Sequence, residues 1–338
     1  MTDMTEKNTG PQSLNEEFYQ ISEAILSSFP KFRLPLNIYV YDQKVSQLIP
    51  YYKAGTRLHQ DKKTEMGRLS REGLLFVSRS DHKIYAKHIR KQLDLVLMDK
   101  HLTTEETVYI IRYALTDGIN MFYDQPVSGV LEKLNSDILV LTEYIWTDRE
   151  KTWDLLQQLH QEYSSVNLSY NSGIIGLAVF LDQQGENCRR KAFNQLALGL
   201  FTHLLGLTRV PRFILEKTTS LTREEQLKIT NYPVTGASIM RKLDIMEGIV
   251  LNCHLEHKEL LDGSGTPRGM KGTELSLHGK LTSLVHAFCE ATMTRNSKAL
   301  PMDKAVQYMT KAPKKFDSSL ARGLEKIILT HLKQNKQK

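Results

Sequence analysis

The stretch HLEHKELLDGSGTPRGMKGTELSLHGKLTSLVHAFCEATMTRN, His254–Asn296, sets two histidines three residues apart ahead of a glycine-rich turn. That spacing puts His254 and His257 on one face of a helix. The turn falls at Asp262-Gly263-Ser264-Gly265, where glycine permits positive φ and an aspartate can bond the backbone two residues on. Helical spacing of apolar residues extends on both sides. Upstream it runs through Val108, Ile111 and Leu115, then Leu131, Leu134, Ile138 and Leu141, then Trp153, Leu156 and Leu159. Thr103-Thr104-Glu105-Glu106 has the T-x-x-E form of a capping box and opens this region. Beyond it strand signals are nearly absent as far as Leu332, so this part of the chain reads as all-α.

The N-terminal part differs. Leu14–Phe29 has the pattern of a short amphipathic helix, punctuated by Pro30 and Pro35. Leu36–Tyr41 (LNIYVY) and Leu74–Ser78 (LLFVS) are strand candidates, and a helical pattern follows from Ile84 to Val96. The fold class is therefore α+β: a small N-terminal α/β module followed by an all-α helical domain. The expected boundaries are a polar tail and short helix over 1–30, a basic sensory or interaction module over 31–100, connecting helices over 101–150, and the helical domain over 151–335.

Composition excludes several classes. Of 338 residues 41% are apolar and 25% charged, which is ordinary globular composition. The apolar run GIIGLAVFL (Gly173–Leu181) is about half of the roughly 20 residues needed to cross a bilayer, so no integral membrane segment is expected. The polar start MTDMTEKNTG is not a secretory signal. Cys188, Cys253 and Cys289 form no CxxC pair, which points to a reducing cytoplasm. Net charge is +7, and residues 51–100 hold twelve Lys/Arg against six acids. A solvated basic surface is the plainer reading; nucleic acid is not expected, because no recognised motif accompanies the charge. An adaptor for nucleic acid or a membrane surface is the alternative.

Three pieces taken together resemble the HD-GYP domain, the bacterial branch of HD phosphohydrolases that cleaves cyclic di-GMP. They are LALGLFTHLLGLTRVPRFIL (Leu196–Leu215), LTREEQLKITNYPVTGASIM (Leu221–Met240) and the stretch from His254. The most specific match is Asp262-Gly263-Ser264-Gly265-Thr266-Pro267 followed by Arg268-Gly269-Met270-Lys271-Gly272, similar to the family's DGxGYP and GLxG tail. Phe316-Asp317 looks like the FD that opens the family's last helix. The resemblance covers about residues 150–335.

The family's chemistry needs a two-metal site with about six His, Asp and Glu donors. Laid on that pattern, the early His falls on Tyr170, the HD pair on His203-Leu204, the lysine of HDxGK on Leu207, and the His-Pro on Tyr232-Pro233. The His-His-Glu falls on His257-Lys258-Glu259, or in another register on His254-Leu255-Glu256, and the late Asp on His286. The residual site positions are His203, His257, Glu259 and His286. No metal or other cofactor is expected; a single metal would use His203, His254 and His257. The resemblance implies ligand contacts at Arg295 and Lys298, with Arg209, Arg268 and Lys271 as further basic candidates on the same rim. Tyr170 and Tyr232 fill the volume of the lost donors, their hydroxyls free to bond across it. Thr266 stands where the family has tyrosine. The expected function is that of a catalytically inactive cyclic di-GMP signalling protein of the bacterial cytoplasm, acting through ligand binding, a protein partner or a homodimer. The alternative is an active phosphodiesterase with divalent iron or manganese in a rearranged site of His203, His254, His257, His286 and Glu259.

Overall fold

In the computed structural model of the chain, the residues described are 17–21, 26, 29, 33–81, 84, 93, 102–217, 219–294 and 299–335. The chain divides into two compact units, Met1–Ala114 and Leu115–Lys338.

The first unit holds an antiparallel sheet in the order β1-β4-β2-β3, made of β1 (Phe18–Gln20), β2 (Ile38–Asp42), β3 (Gln47–Tyr52) and β4 (Leu75–Ser78). β2 and β4 match the two expected strands. Phe18–Gln20 corrects the helix expected over Leu14–Phe29: this segment adds to β4 as an edge strand. There the Phe18 ring meets Tyr39 edge-on at 5.0 Å, and the buried Ile21 donates its N–H to Leu75 O at 3.0 Å. A cross-strand aromatic contact has overridden a weak helical pattern. β3 gave no sequence signal because Pro50 interrupts it; it lies at the opposite edge, where a missing N–H costs no ladder bond. α1 (Gln60–Arg71) buries Met66 and Leu69. The helical pattern expected from Ile84 to Val96 lies almost wholly outside the described residues.

α2 (Thr104–Asp124) begins with the expected capping box. Glu106 N–H donates to Thr103 Oγ1 at 3.2 Å, and Thr103 N–H donates to Glu106 Oε2 at 2.9 Å. The second unit is helical: α3 (Ser128–Thr147), α4 (Lys151–Leu156), α5 (Ser165–Gln184), α6 (Arg190–Thr202), α7 (Arg212–Leu215), α8 (Arg223–Lys242), α9 (Gly248–Glu256), α10 (Leu277–Thr292), α11 (Met302–Thr310) and α12 (Ser318–Asn335). α5 is buried without a break from Leu168 to Leu181. A helix apolar on all sides belongs at the centre, and α4, α6, α10 and α12 pack around it. Asp317 starts α12 by accepting the N–H groups of Ser319 and Leu320. No helix among the described residues is long and apolar enough to cross a membrane.

Candidate functional site

α6, α8, α9 and α10 converge on one buried point. α6 ends at Thr202, and the next residue, His203, turns into the core at 0% exposure. Gly206 lets this segment lie backbone-to-backbone against α8, since a Cβ there would stand 1.9 Å from Tyr232 O. That approach brings Tyr232 over the end of α9, where His257 is the C-cap residue. His286 enters from the middle of α10. The rings of His203, His257 and His286 form a triangle with centroids 5.0, 5.3 and 5.1 Å apart.

Hydrogen bonding assigns every proton in this cluster. His203 Nδ1–H donates to Leu200 O at 2.7 Å, because a carbonyl only accepts. Its Nε2 therefore accepts from His286 Nδ1–H at 3.1 Å. His257 Nδ1–H donates to His254 O at 2.8 Å, and its Nε2 accepts from the Tyr232 hydroxyl at 2.8 Å. Thr202 donates its hydroxyl to Leu198 O and accepts His254 Nε2–H at 3.1 Å. Two lone pairs have no hydrogen-bond partner among the described residues: His254 Nδ1 and His286 Nε2.

All four imidazoles are neutral. Burial lowers the pKa of His203 to about 4 and of His254 to about 3, and holds His257 and His286 well below the ordinary value. The positive charge of Lys258 pushes His203, His257 and His286 in the same direction. Burial raises the Tyr232 phenol well above its usual value, so it stays a donor.

A cavity of about 1080 Å³ opens on this cluster. His286, Tyr232 and Leu204 lie on its wall, with Lys258, Glu290, Arg212, Glu216 and Lys217 around them. Lys258 Nζ meets Glu290 Oε2 at 3.1 Å, and the same oxygen is 3.6 Å from His286 Nε2. Arg212 pairs with Glu216 and Lys217 with Glu225, both at 2.6 Å.

The glycine-rich turn is a structural clasp. Asp262 Oδ1 accepts from Ser264 N–H at 2.9 Å and from the Ser264 hydroxyl at 2.6 Å. Gly263 has φ of 79°, as the sequence suggests. Gly265 serves differently from that expectation: its φ is not positive, and a Cβ there would lie 2.4 Å from Glu259 Cα. The Thr266–Pro267 peptide is cis. Glu259, fully buried, accepts Arg268 N–H at 2.7 Å and Met270 N–H at 3.0 Å.

Comparison with known proteins places this architecture. Residues 172–320 match the family model of the HD domain. A stretch of 151 residues, 44% of this chain and 39% of the relative, is 28% identical to cyclic di-GMP phosphodiesterase PdeB of Borreliella burgdorferi. Another of 127 residues, 37% of this chain and 31% of the relative, is 26% identical to cyclic di-GMP phosphodiesterase PA4108 of Pseudomonas aeruginosa. Residues 172–320 form an HD domain, and the helical half of the chain is similar to HD-GYP proteins. Its fold is shared with Bd1817, a HDG"Y"P protein from Bdellovibrio bacteriovorus, at 15% identity and a TM-score of 0.59 over 92% of this chain and 99% of that one. The chain spans well under half the length of the curated relatives it matches.

HD-GYP proteins of the phosphodiesterase type depend on metals, so the donors of this HD domain must be weighed. Among the described residues no carboxylate completes the histidine triangle. Glu259 corrects its expected place there: both of its oxygens are taken by the loop backbone. Glu256 accepts from Ser276 N–H and Oγ, and Glu290 is held by Lys258 at the surface. Hard divalent ions need such oxygen donors. Among the described residues no group of three or more His, Cys, Asp or Glu is arranged to hold a metal ion. These residues do not fit a pair of divalent cations.

Other expectations resolve residue by residue. His257 joins the triangle, whereas His254 bonds Thr202 outside it. Tyr232 bonds as expected, whereas Tyr170 packs against His160 and Phe201. Arg209 does not share the rim: it lines a separate cleft with Val234, Ser238 and Lys242. Lys271 lies on the clasp, its stem against Gly263, and Arg268 stands 3.9 Å from Glu256; neither lines the cavity. Arg295 and Lys298 lie outside the described residues. In the sequence Lys258 only stands between His257 and Glu259 where the family has histidine; its place on the cavity wall beside His286 and Glu290 is a product of the fold.

Proposed function

We propose that this HD-GYP protein binds cyclic di-GMP without hydrolysing it and relays that binding as a signal. The observation that carries this reading is that the carboxylates nearest the cluster are already bonded, Glu259 and Glu256 by backbone N–H groups and Glu290 by Lys258, beside a cavity of about 1080 Å³ with His286 and Tyr232 on its wall. That volume lies just above the roughly 300–1,000 Å³ of small-molecule sites. The curated relatives, named as cyclic di-GMP phosphodiesterases, support the choice of ligand. Three free, buried cysteines suit a cytoplasmic setting. The first unit, with its sheet and basic surface, is then the sensory or partner-binding module.

Three measurements on freshly purified protein test the reading: metal content, calorimetric binding of cyclic di-GMP, and hydrolysis under reducing conditions with added iron or manganese. Binding without stoichiometric metal or turnover is expected. Two bound metals per chain with chelator-sensitive turnover would establish the phosphodiesterase instead.

A further inference from the structure

Lys258 and His286 present two complementary groups around a single point. The ammonium donates to Glu290 Oε2, and the lone pair of His286 Nε2 faces the same oxygen at 3.6 Å. His286 is only 3% exposed, yet its Nε2 has no hydrogen-bond donor among the described residues. Its tautomer is fixed, because Nδ1–H is committed to His203. A buried acceptor without a donor is costly, and its position on the cavity wall aims it at a ligand. The three clustered imidazoles bring no charge. Arg212 and Lys217 are paired with glutamates outside this point, so among the described residues Lys258 is the cation beside the cluster.

We propose that Lys258 acts as a built-in cation that takes a phosphate oxygen of the ligand without metal, while His286 Nε2 accepts the adjacent ribose 2′-hydroxyl. Glu290 is the internal counter-ion that the phosphate displaces. The Lys258–Glu290 pair is about one-third exposed on the lysine side and 43% exposed on the glutamate side, and partly solvated pairs of this kind are weak. Exchange of one anion for another at the ammonium therefore costs little. The gap around one Glu290 oxygen suits a group that offers an anion and a hydroxyl side by side, as a ribonucleotide phosphodiester does. A carboxylate already in that place also makes the free site self-occluded. This inference rests on cyclic di-GMP being the ligand and specifies how it is held.

Calorimetry with cyclic di-GMP in the presence of a chelator separates the two levels. Wild-type protein is expected to bind equally well with and without EDTA. Lys258→Met should weaken binding by at least about tenfold. Lys258→Arg should retain most of it, and Glu290→Gln, which removes the competing anion, should tighten it several-fold. The 2′-deoxy analogue of cyclic di-GMP should bind several-fold more weakly than the ribonucleotide. Lys258 is partly exposed, so the Met variant should keep the wild-type unfolding temperature, which shows that lost binding is local. No binding by the wild type would defeat the reading on which this inference rests, and the inference with it. Wild-type binding that EDTA abolishes, or that Lys258→Met leaves unchanged, would overturn the inference alone. Equal affinity for the deoxy analogue would overturn the role of His286.

Discussion

Acidification should destabilise the HD domain unusually steeply. His203, His254, His257 and His286 are buried and neutral, with folded pKa values below the ordinary 6.5. Below pH 6.5 the unfolded chain takes up a proton on each imidazole that the folded chain refuses. Stability is therefore fully present above that pH and is lost as the pH falls towards the depressed values, about 4 for His203 and about 3 for His254. Across pH 7.5 to 5.5, a window centred on the unfolded pKa, each such group contributes a little over 1 kcal/mol in total, so four give about 5 kcal/mol. Carboxylates contribute little in that window because their unfolded pKa values lie near 4. A loss of that size is comparable to the whole stability of many domains, about 5–15 kcal/mol. Both tryptophans, Trp146 and Trp153, lie in the helical unit, so urea unfolding followed by their fluorescence reports on it. His286→Asn keeps a donor for His203 and should reduce the slope by about a quarter. A wild-type loss below about 2 kcal/mol over this range would refute the claim that the cluster is neutral.

Tyr232→Phe removes the donor to His257 Nε2 and leaves a buried acceptor unpaired; denaturant unfolding should show a loss of about 1–3 kcal/mol. Gly206→Ala sets a methyl group 1.9 Å from Tyr232 O and 2.6 Å from Gly236 N, both backbone, so the segments must part at a cost of about 1–3 kcal/mol or more, read as a lowered unfolding midpoint. Glu259→Gln puts an amide donor against one of two backbone N–H groups and should cost about 1.5–3 kcal/mol, with faster amide exchange at Arg268 and Met270. Unchanged exchange there would show that the clasp does not depend on this carboxylate.

Local patterns were legible without coordinates. The T-x-x-E box at Thr103, the apolar run from Gly173 to Leu181, the Asp262 turn and the Asp317 cap depend on residues close in sequence. Their hydrogen bonds and apolar periodicity are fixed by neighbours only a few positions away. The strand at Phe18–Gln20 carries a helical pattern in sequence because its partner is β4, more than fifty residues downstream, and β3 has no strand signal because Pro50 is tolerated only at an edge.

The chain's own residues determined the resemblance to the HD-GYP family and the helical character of the second unit, since these follow from residue identity, order and spacing. Only the tertiary structure decided that His257 rather than His254 completes the triangle, that Glu259 serves the loop, and that Arg209 lies in another cleft. It also brought Lys258, Glu290 and His286 around one point. The physical reason is that a side chain's role depends on which partner satisfies it. Here the partners arrive from separate helices, at distances that no local pattern encodes.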